Sequence, residues 1–148
     1  MKILMIIPAY NEEESILHTV EGIIDYRKNV DFQLHYLVIN DGSTDNTKNT
    51  LIQNKLNAIH LVQNLGIGGA VQTGYKYALD NNYDVAVQFD GDGQHDIRSL
   101  NSLIQPILLG KADMVIGSRF VGETLSEFQT SFMRRFGIGV ISNMIKLT

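Results

Sequence analysis

Cysteine is absent from this chain. Its absence excludes disulfides, thiolate-held zinc and a cysteine nucleophile, and leaves the redox compartment unmarked. Positive charge is in short supply: Lys and Arg number 12 against 16 Asp and Glu, a net charge of −4. That balance gives no support to nucleic-acid binding, and no nucleic-acid partner is expected. Long apolar runs are also missing, so no segment reads as a bilayer span. The N-terminal run Ile3-Leu4-Met5-Ile6-Ile7 is short, and Pro8 followed by Glu12, Glu13 and Glu14 is not a signal-peptide pattern. A cytosolic protein, or one peripheral to the inner face of the cell membrane, is the resulting expectation.

What is present suits a self-sufficient fold. A chain of 148 residues, 44% of them apolar, is of single-domain size. It can bury roughly 68–70% of its unfolded surface, so no staple is required.

The most informative stretch is 85–96, VAVQFDGDGQHD. A short apolar run, Val85, Ala86, Val87 and Phe89, ends abruptly in Asp90, Gly91, Asp92, Gly93, Gln94, His95 and Asp96. Such a run reads as a buried strand reaching the edge of its sheet. Two glycines let another group approach the loop backbone closely. Asp90 and Asp92 offer hard oxygens at a strand's C-terminal end, where open α/β sheets bind ligands. Carboxylates this close repel unless a cation sits between them. An ordinary Asp-Gly turn is the bland alternative. A helix-loop-helix calcium loop fails by position, because its glycine falls on His95 and its closing Glu on Asn101. Mg²⁺ or Mn²⁺ shared with a phosphorylated ligand fits better, since Mg²⁺ is usually held by one or two carboxylates plus substrate phosphates.

Along the chain, residues 3–7 form a first buried strand and 8–11 its loop. Ile16, Leu17, Val20, Ile23 and Ile24 recur at helical spacing, predicting a helix over 12–26 with three glutamates favoured by its N-terminal dipole. A second strand, 34–40, runs into Asn40-Asp41-Gly42-Ser43-Thr44-Asp45, with Thr44 or Asp45 capping a helix over 46–56. A third strand is expected over 58–62. Asn64-Leu65-Gly66-Ile67-Gly68-Gly69-Ala70 opens a third helix. It is not a dinucleotide fingerprint, because Val71 stands where the last Gly or Ala belongs. Its glycines serve either an anion or tight helix–sheet packing. A fourth strand, 84–89, leads into the acidic loop. Asp96 caps a helix containing Leu100 to Leu108, which Pro106 should kink or restart. A fifth strand is expected over 113–117. Strands alternating with helices predict a mostly parallel α/β sheet with helices on both faces.

The tail differs. Phe128, Phe132, Phe136, Val140 and Met144 recur every four residues, with Arg134, Arg135 and Lys146 alongside. Core or partner packing is one reading, including a homo-oligomer through the apolar stripe. A basic amphipathic helix over 125–147, lying on a membrane surface, is the other.

Five of these segments, in order and each at a strand end, resemble a family 2 glycosyltransferase of GT-A, Rossmann-like fold. They are Pro8-Ala9-Tyr10-Asn11-Glu12, Asn40-Asp41-Gly42-Ser43-Thr44-Asp45, Asn64-Leu65-Gly66 with Gly68, Ala70 and Gly74, Asp90-Gly91-Asp92-Gly93-Gln94-His95, and Gly117-Ser118-Arg119-Phe120. The last two point to the dolichol-phosphate mannose synthase and polyprenyl-phosphate glucosyltransferase branch. The resemblance implies a nucleotide-sugar-binding core over 1–122 and, over 123–148, a helical tail that begins the acceptor side. It implies donor binding by Pro8, Ala9, Tyr10, Glu12, Asp41, Gly66, Asp90, Gly91 and Arg119. It implies Mg²⁺ or Mn²⁺ held by Asp90, Asp92 and Gln94, catalytic roles for Asp92 and Arg119, and acceptor phosphate held by Arg134 and Arg135. Asn40 departs from the first Asp the family often has. The resemblance also implies a further acceptor-side segment after Thr148, so that a truncated or split enzyme is expected.

The implied reaction is inverting transfer of a sugar from a UDP- or GDP-linked donor. The acceptor is a polyprenyl phosphate or a glycan hydroxyl. A hydroxyl acceptor needs a general base. A phosphate monoester, with its second pKa near 6, does not. His95 and Asp96 are the nearest candidate bases, and both are accounted for as loop and cap residues. A donor-binding module without turnover is the remaining alternative.

Overall fold

A computed structural model of the chain describes residues 1–91 and 96–117. Two compact units divide it, Met1–Gln105 and Pro106–Thr148. The first contains β1 (Lys2–Ala9), α1 (Ile16–Tyr26), β2 (Gln33–Asn40), α2 (Thr47–Gln53), β3 (Ala58–His60), α3 (Gly66–Asp80) and β4 (Val85–Gln88). The boundary between the units falls inside α4 (Leu100–Leu108).

The four strands make one sheet in the order β3-β2-β1-β4, and every pairing is parallel. β1 is therefore central, and Ile3 to Ile7 are each at most 1% exposed. A strand covered on both faces needs apolar residues at every position, which explains the unbroken run. Side chains alternate across it. Leu4 and Ile6 join Leu37, Ile39, Ala70 and Ala78 in a cluster under α3. On the other face, Ile7 and the α1 residue Ile16 both lie within 4 Å of the place a Gly91 Cβ would occupy. Helices thus cover both faces, as expected.

Several expected boundaries shift. α1 begins at Ile16 rather than residue 12, and its first turn holds no acidic residue. Ahead of it, the backbone N–H groups of Glu12 and Glu13 donate to Thr47 Oγ1 (2.9 Å) and the Asp45 carboxylate (3.3 Å). α2 and β3 are shorter than expected, and Val62, expected in β3, is fully exposed.

Three helices end alike. Leu56 N–H donates to Leu51 O, Tyr83 N–H to Ala78 O and Lys111 N–H to Pro106 O, each closing the last turn around Lys55, Asn82 or Gly110 at positive φ. These are Schellman caps, which satisfy terminal carbonyls.

In the second unit, Pro106 lies within α4 without ending it at once; the helix stops two residues later. Residues 113–117 carry no strand, contrary to expectation, and Met114 and Ile116 are 75% and 78% exposed. A strand requires a ladder partner, and among the described residues 113–117 has none.

Candidate active site

Because β1 has β2 on one side and β4 on the other, the chain changes winding direction between β1 and β4. Ligands of open α/β sheets bind beyond the strand C-termini at such a point. A cleft of about 430 Å³ lies there. Pro8, Ala9, Tyr10 and Glu12 line it from the end of β1, Asp41 from β2, and Asp90 and Gly91 from β4. Asn64, Gly66, Ile67 and Ala70 complete the wall at the start of α3. A volume in this range suits a small-molecule ligand.

Two loops on this rim lock into each other. Asn11 sits at φ 57°, a conformation Asn tolerates better than most residues. Its Oδ1 accepts from the backbone N–H of Thr44 (2.9 Å) and the hydroxyl of Thr44 (3.3 Å). Asn11 N–H in turn donates to Ser43 Oγ at 3.0 Å. Glu13 closes the far side by accepting from Asn46 N–H at 2.8 Å. Desolvation pushes the Asp45 carboxyl up, but hydrogen bonds from Thr47 and the Glu13 N–H outweigh it and hold the group below its ordinary pKa. Asp45 accepts from Thr47 N–H at 3.0 Å, so it serves the start of α2 from one residue outside the cap position.

Asp41 is 3% exposed, and its Oδ1 accepts from Leu65 N–H at 2.7 Å. It therefore ties the end of β2 to the start of α3 while forming part of the wall. Between them Gly42 turns at φ 65°, where a Cβ would lie 2.7 Å from Asn64 N. Only glycine fits there.

The α3 glycines separate into distinct roles. At Gly74 a Cβ would come within 2.2 Å of Ile6 Cγ2, so Gly74 lets α3 settle on the sheet. Gly66 turns at φ 76°. Gly68 has open space where a Cβ would stand, so packing does not account for glycine at that position.

The acidic loop is anchored at its start. The buried Thr19 of α1 donates its hydroxyl to Gly91 O at 2.9 Å. A Gly91 Cβ would stand 3.3 Å from Pro8 O, tighter than ordinary contact. Gln88 Nε2 donates to Asp90 Oδ1 at 3.3 Å. Downstream, Asp96 caps the turn before α4 by accepting from Arg98 N–H at 2.9 Å, as the sequence predicts. The Arg98 side chain and then its N–H hold the Asp96 carboxyl below the usual carboxylate range, a poor setting for a general base.

The structure thus brings Pro8, Ala9, Tyr10, Glu12, Asp41, Gly66, Asp90 and Gly91 to one cleft. Asp92, Gln94, Arg119, Arg134 and Arg135, with the 123–148 tail, lie outside the described residues. Among the described residues no group of three His, Asp or Glu is placed to hold a metal ion. None of the described helices is long and apolar enough to cross a membrane. Sequence reasoning missed Ile67 as a lining residue, Asn11 as the clamp and Thr19 as the anchor. Only Asn11 left a signal: a turn residue that tolerates positive φ, directly after a strand.

The sequence model described as "Glycosyl transferase family 2" matches residues 5–140. The chain is 38% identical over 134 residues to UDP-N-acetylglucosamine–dolichyl-phosphate N-acetylglucosaminyltransferase of Methanococcus voltae, covering 79% of this chain and 51% of that protein. It is 35% identical over 126 residues to undecaprenyl-phosphate mannosyltransferase of Micrococcus luteus, covering 82% and 49%. The chain spans about half the length of the curated relatives it matches. Among solved structures, glucosyl-3-phosphoglycerate synthase from Mycobacterium tuberculosis, in complex with Mn²⁺, UDP-glucose and phosphoglyceric acid, superposes with a TM-score of 0.58. That match, at 24% identity, covers 74% of this chain and 40% of that one, and it shows a shared fold.

Proposed function

Because the chain belongs to glycosyl transferase family 2, we propose that its cleft binds the nucleoside diphosphate of a UDP- or GDP-sugar, for inverting transfer to a polyprenyl phosphate. The observation that carries this reading is the cleft at the winding reversal, where the ends of three strands and the start of α3 converge. Asp41 and the 8–12 loop form the wall proposed to meet the base. The first turn of α3, with Gly68 unconstrained by packing, offers N–H groups suited to phosphate.

Asp90 is the described carboxylate proposed to hold a divalent cation, with Asp92 and Gln94. A carboxylate on the cleft wall fits Mg²⁺ or Mn²⁺ that takes further ligands from substrate phosphates. When bound, the ion supplies charge neutralisation for the departing diphosphate. Arg119 is proposed to add positive charge at the same place. Thr19 keeps the carbonyl of Gly91, and with it the start of the acidic loop, against α1.

The acceptor reading has two supports. Two relatives are named for transfer to dolichyl phosphate and undecaprenyl phosphate. A phosphate acceptor is already ionised at neutral pH and requires no base. Arg134 and Arg135 are proposed to meet that phosphate, with the 125–147 tail on the inner membrane face.

A panel of nucleoside diphosphates and their sugars, scored by thermal shift with and without Mn²⁺, tests the donor proposal. A rise in melting temperature for uridine or guanosine diphosphates, larger with Mn²⁺, is expected. Asp92→Asn should remove the metal-dependent part and leave the ligand-free melting temperature unchanged. No shift with any diphosphate sinks the proposal.

A further inference from the structure

Asn40 and His60 are direct partners in the β2–β3 ladder, at the C-terminal edge beside the cleft. Asn40 is 2% exposed, so each polar atom of its amide needs a partner. The backbone settles which way the amide points. Ser43 N–H is an obligate donor and lies 3.2 Å from Asn40 Oδ1. The amide nitrogen must then face His60, whose Nδ1 lies 3.0 Å away. An NH₂ group only donates, so Nδ1 must accept, and His60 must be neutral with its proton on Nε2.

We infer that His60 is a positioning residue for the nucleotide-binding wall, acting through Asn40 on the turn that presents Asp41. The inference rests on the proposed function, since it assumes that a nucleotide occupies the cleft. Asn40 immediately precedes Asp41, and its Oδ1 closes the turn by holding Ser43 N–H. Its carbonyl accepts from Gly42 N–H at 3.0 Å inside that turn and from Leu61 N–H at 2.9 Å across the ladder. Gly42 then packs on Gln63 and Asn64, which brings Leu65 N–H to Asp41. Without an acceptor at position 60 the buried NH₂ is left unpaired. Nothing then fixes the orientation of the amide, and its Oδ1 holds Ser43 N–H less firmly. Ser43 also receives Asn11 N–H on its hydroxyl, so the disturbance reaches the 8–12 side of the cleft. The neutral Asn at position 40 matters here, because a carboxylate could not donate to Nδ1.

Three measurements on the full chain test this. Histidine ¹⁵N spectra of the ligand-free protein should show His60 with a bare Nδ1 and a protonated Nε2. The opposite tautomer overturns the inference without reference to any ligand. Amide exchange should show Ser43 N–H less protected in His60→Leu, and restored in His60→Asn, whose Oδ1 stands near the place of Nδ1. Calorimetry with uridine and guanosine diphosphate in Mn²⁺ should show the favoured diphosphate bound about three- to ten-fold more weakly by His60→Leu. His60→Asn should return to within about two-fold of the parent. Unchanged affinity in His60→Leu, or an equal loss in His60→Asn, overturns the positioning role. Binding of neither diphosphate by the parent overturns the proposed function instead, and the tautomer and Ser43 exchange still decide the contact.

Discussion

At the scale of single residues, the cleft is made by side chains that spend their polarity on the backbone. Asp41, on the cleft wall, and Asn11 accept from main-chain N–H groups of neighbouring loops, and Asn40 accepts from Ser43 in its own turn, so these side chains set loop shape around the wall. Asp41→Ala should therefore weaken uridine or guanosine diphosphate binding by about ten-fold, the scale of a lost charge-assisted hydrogen bond. Calorimetry across a base panel checks this, and the variant's preference among bases should be blunted. His60 carries a second expectation. Burial, and then the nearby Lys48 charge, hold its pKa below the ordinary value. A depressed histidine contributes stability that is complete above its unfolded pKa of about 6.5 and is lost as pH falls through the folded value. Melting temperature should thus fall on acidification below about pH 6.5, and His60→Asn should flatten that part of the profile.

At the scale of elements, helix ends decide where the loops go. α2, α3 and α4 share one cap, but its positive-φ residue is Lys55 in α2, Asn82 in α3 and Gly110 in α4. Lysine is the costly choice, because its Cβ crowds the following carbonyl in the left-handed region. Lys55→Gly should stabilise the protein by about 0.5–1 kcal/mol, the relief of strain being partly offset by a freer unfolded chain. Urea unfolding at unchanged slope measures it. The helix starts show the reverse influence of tertiary contacts. Periodicity and three glutamates point to a helix from residue 12. The structure starts it at Ile16, and Thr47 and Asp45 capture the N–H groups of Glu12 and Glu13 ahead of it. Local sequence could not show this, since the capturing groups lie more than thirty residues away.

At the scale of the whole molecule, one face of chemistry gathers at the C-terminal edge of a parallel sheet. The proposed tail would carry that edge to a membrane. Liposome co-sedimentation of the chain, against a version ending at Gly122, should show binding to anionic vesicles by the full chain only. Added salt should weaken it, since each cation near an anionic surface is worth about 1 kcal/mol before screening. Equal recovery of both versions in the supernatant would make the stripe ordinary packing surface.

Sequence alone determined the strand order of events: an apolar run, then a polar turn, four times with helices between, although the fifth such run, 113–117, forms no strand. It also marked each strand end as the place where Pro8, Asp41, Gly66 and Asp90 belong. Periodicity and turn chemistry are local, so they survive without a structure. Only the tertiary structure decided that β4 pairs beside β1, which closes the cleft between residues far apart in the chain. It alone separated Gly74, pressed on Ile6, from Gly68, which faces open space. It also joined Thr19 to Gly91 and His60 to Asn40. A single buried hydroxyl or one histidine on an edge strand has no periodicity to betray it. Such contacts exist only once long-range packing has chosen the partner and excluded the water that would otherwise take its place.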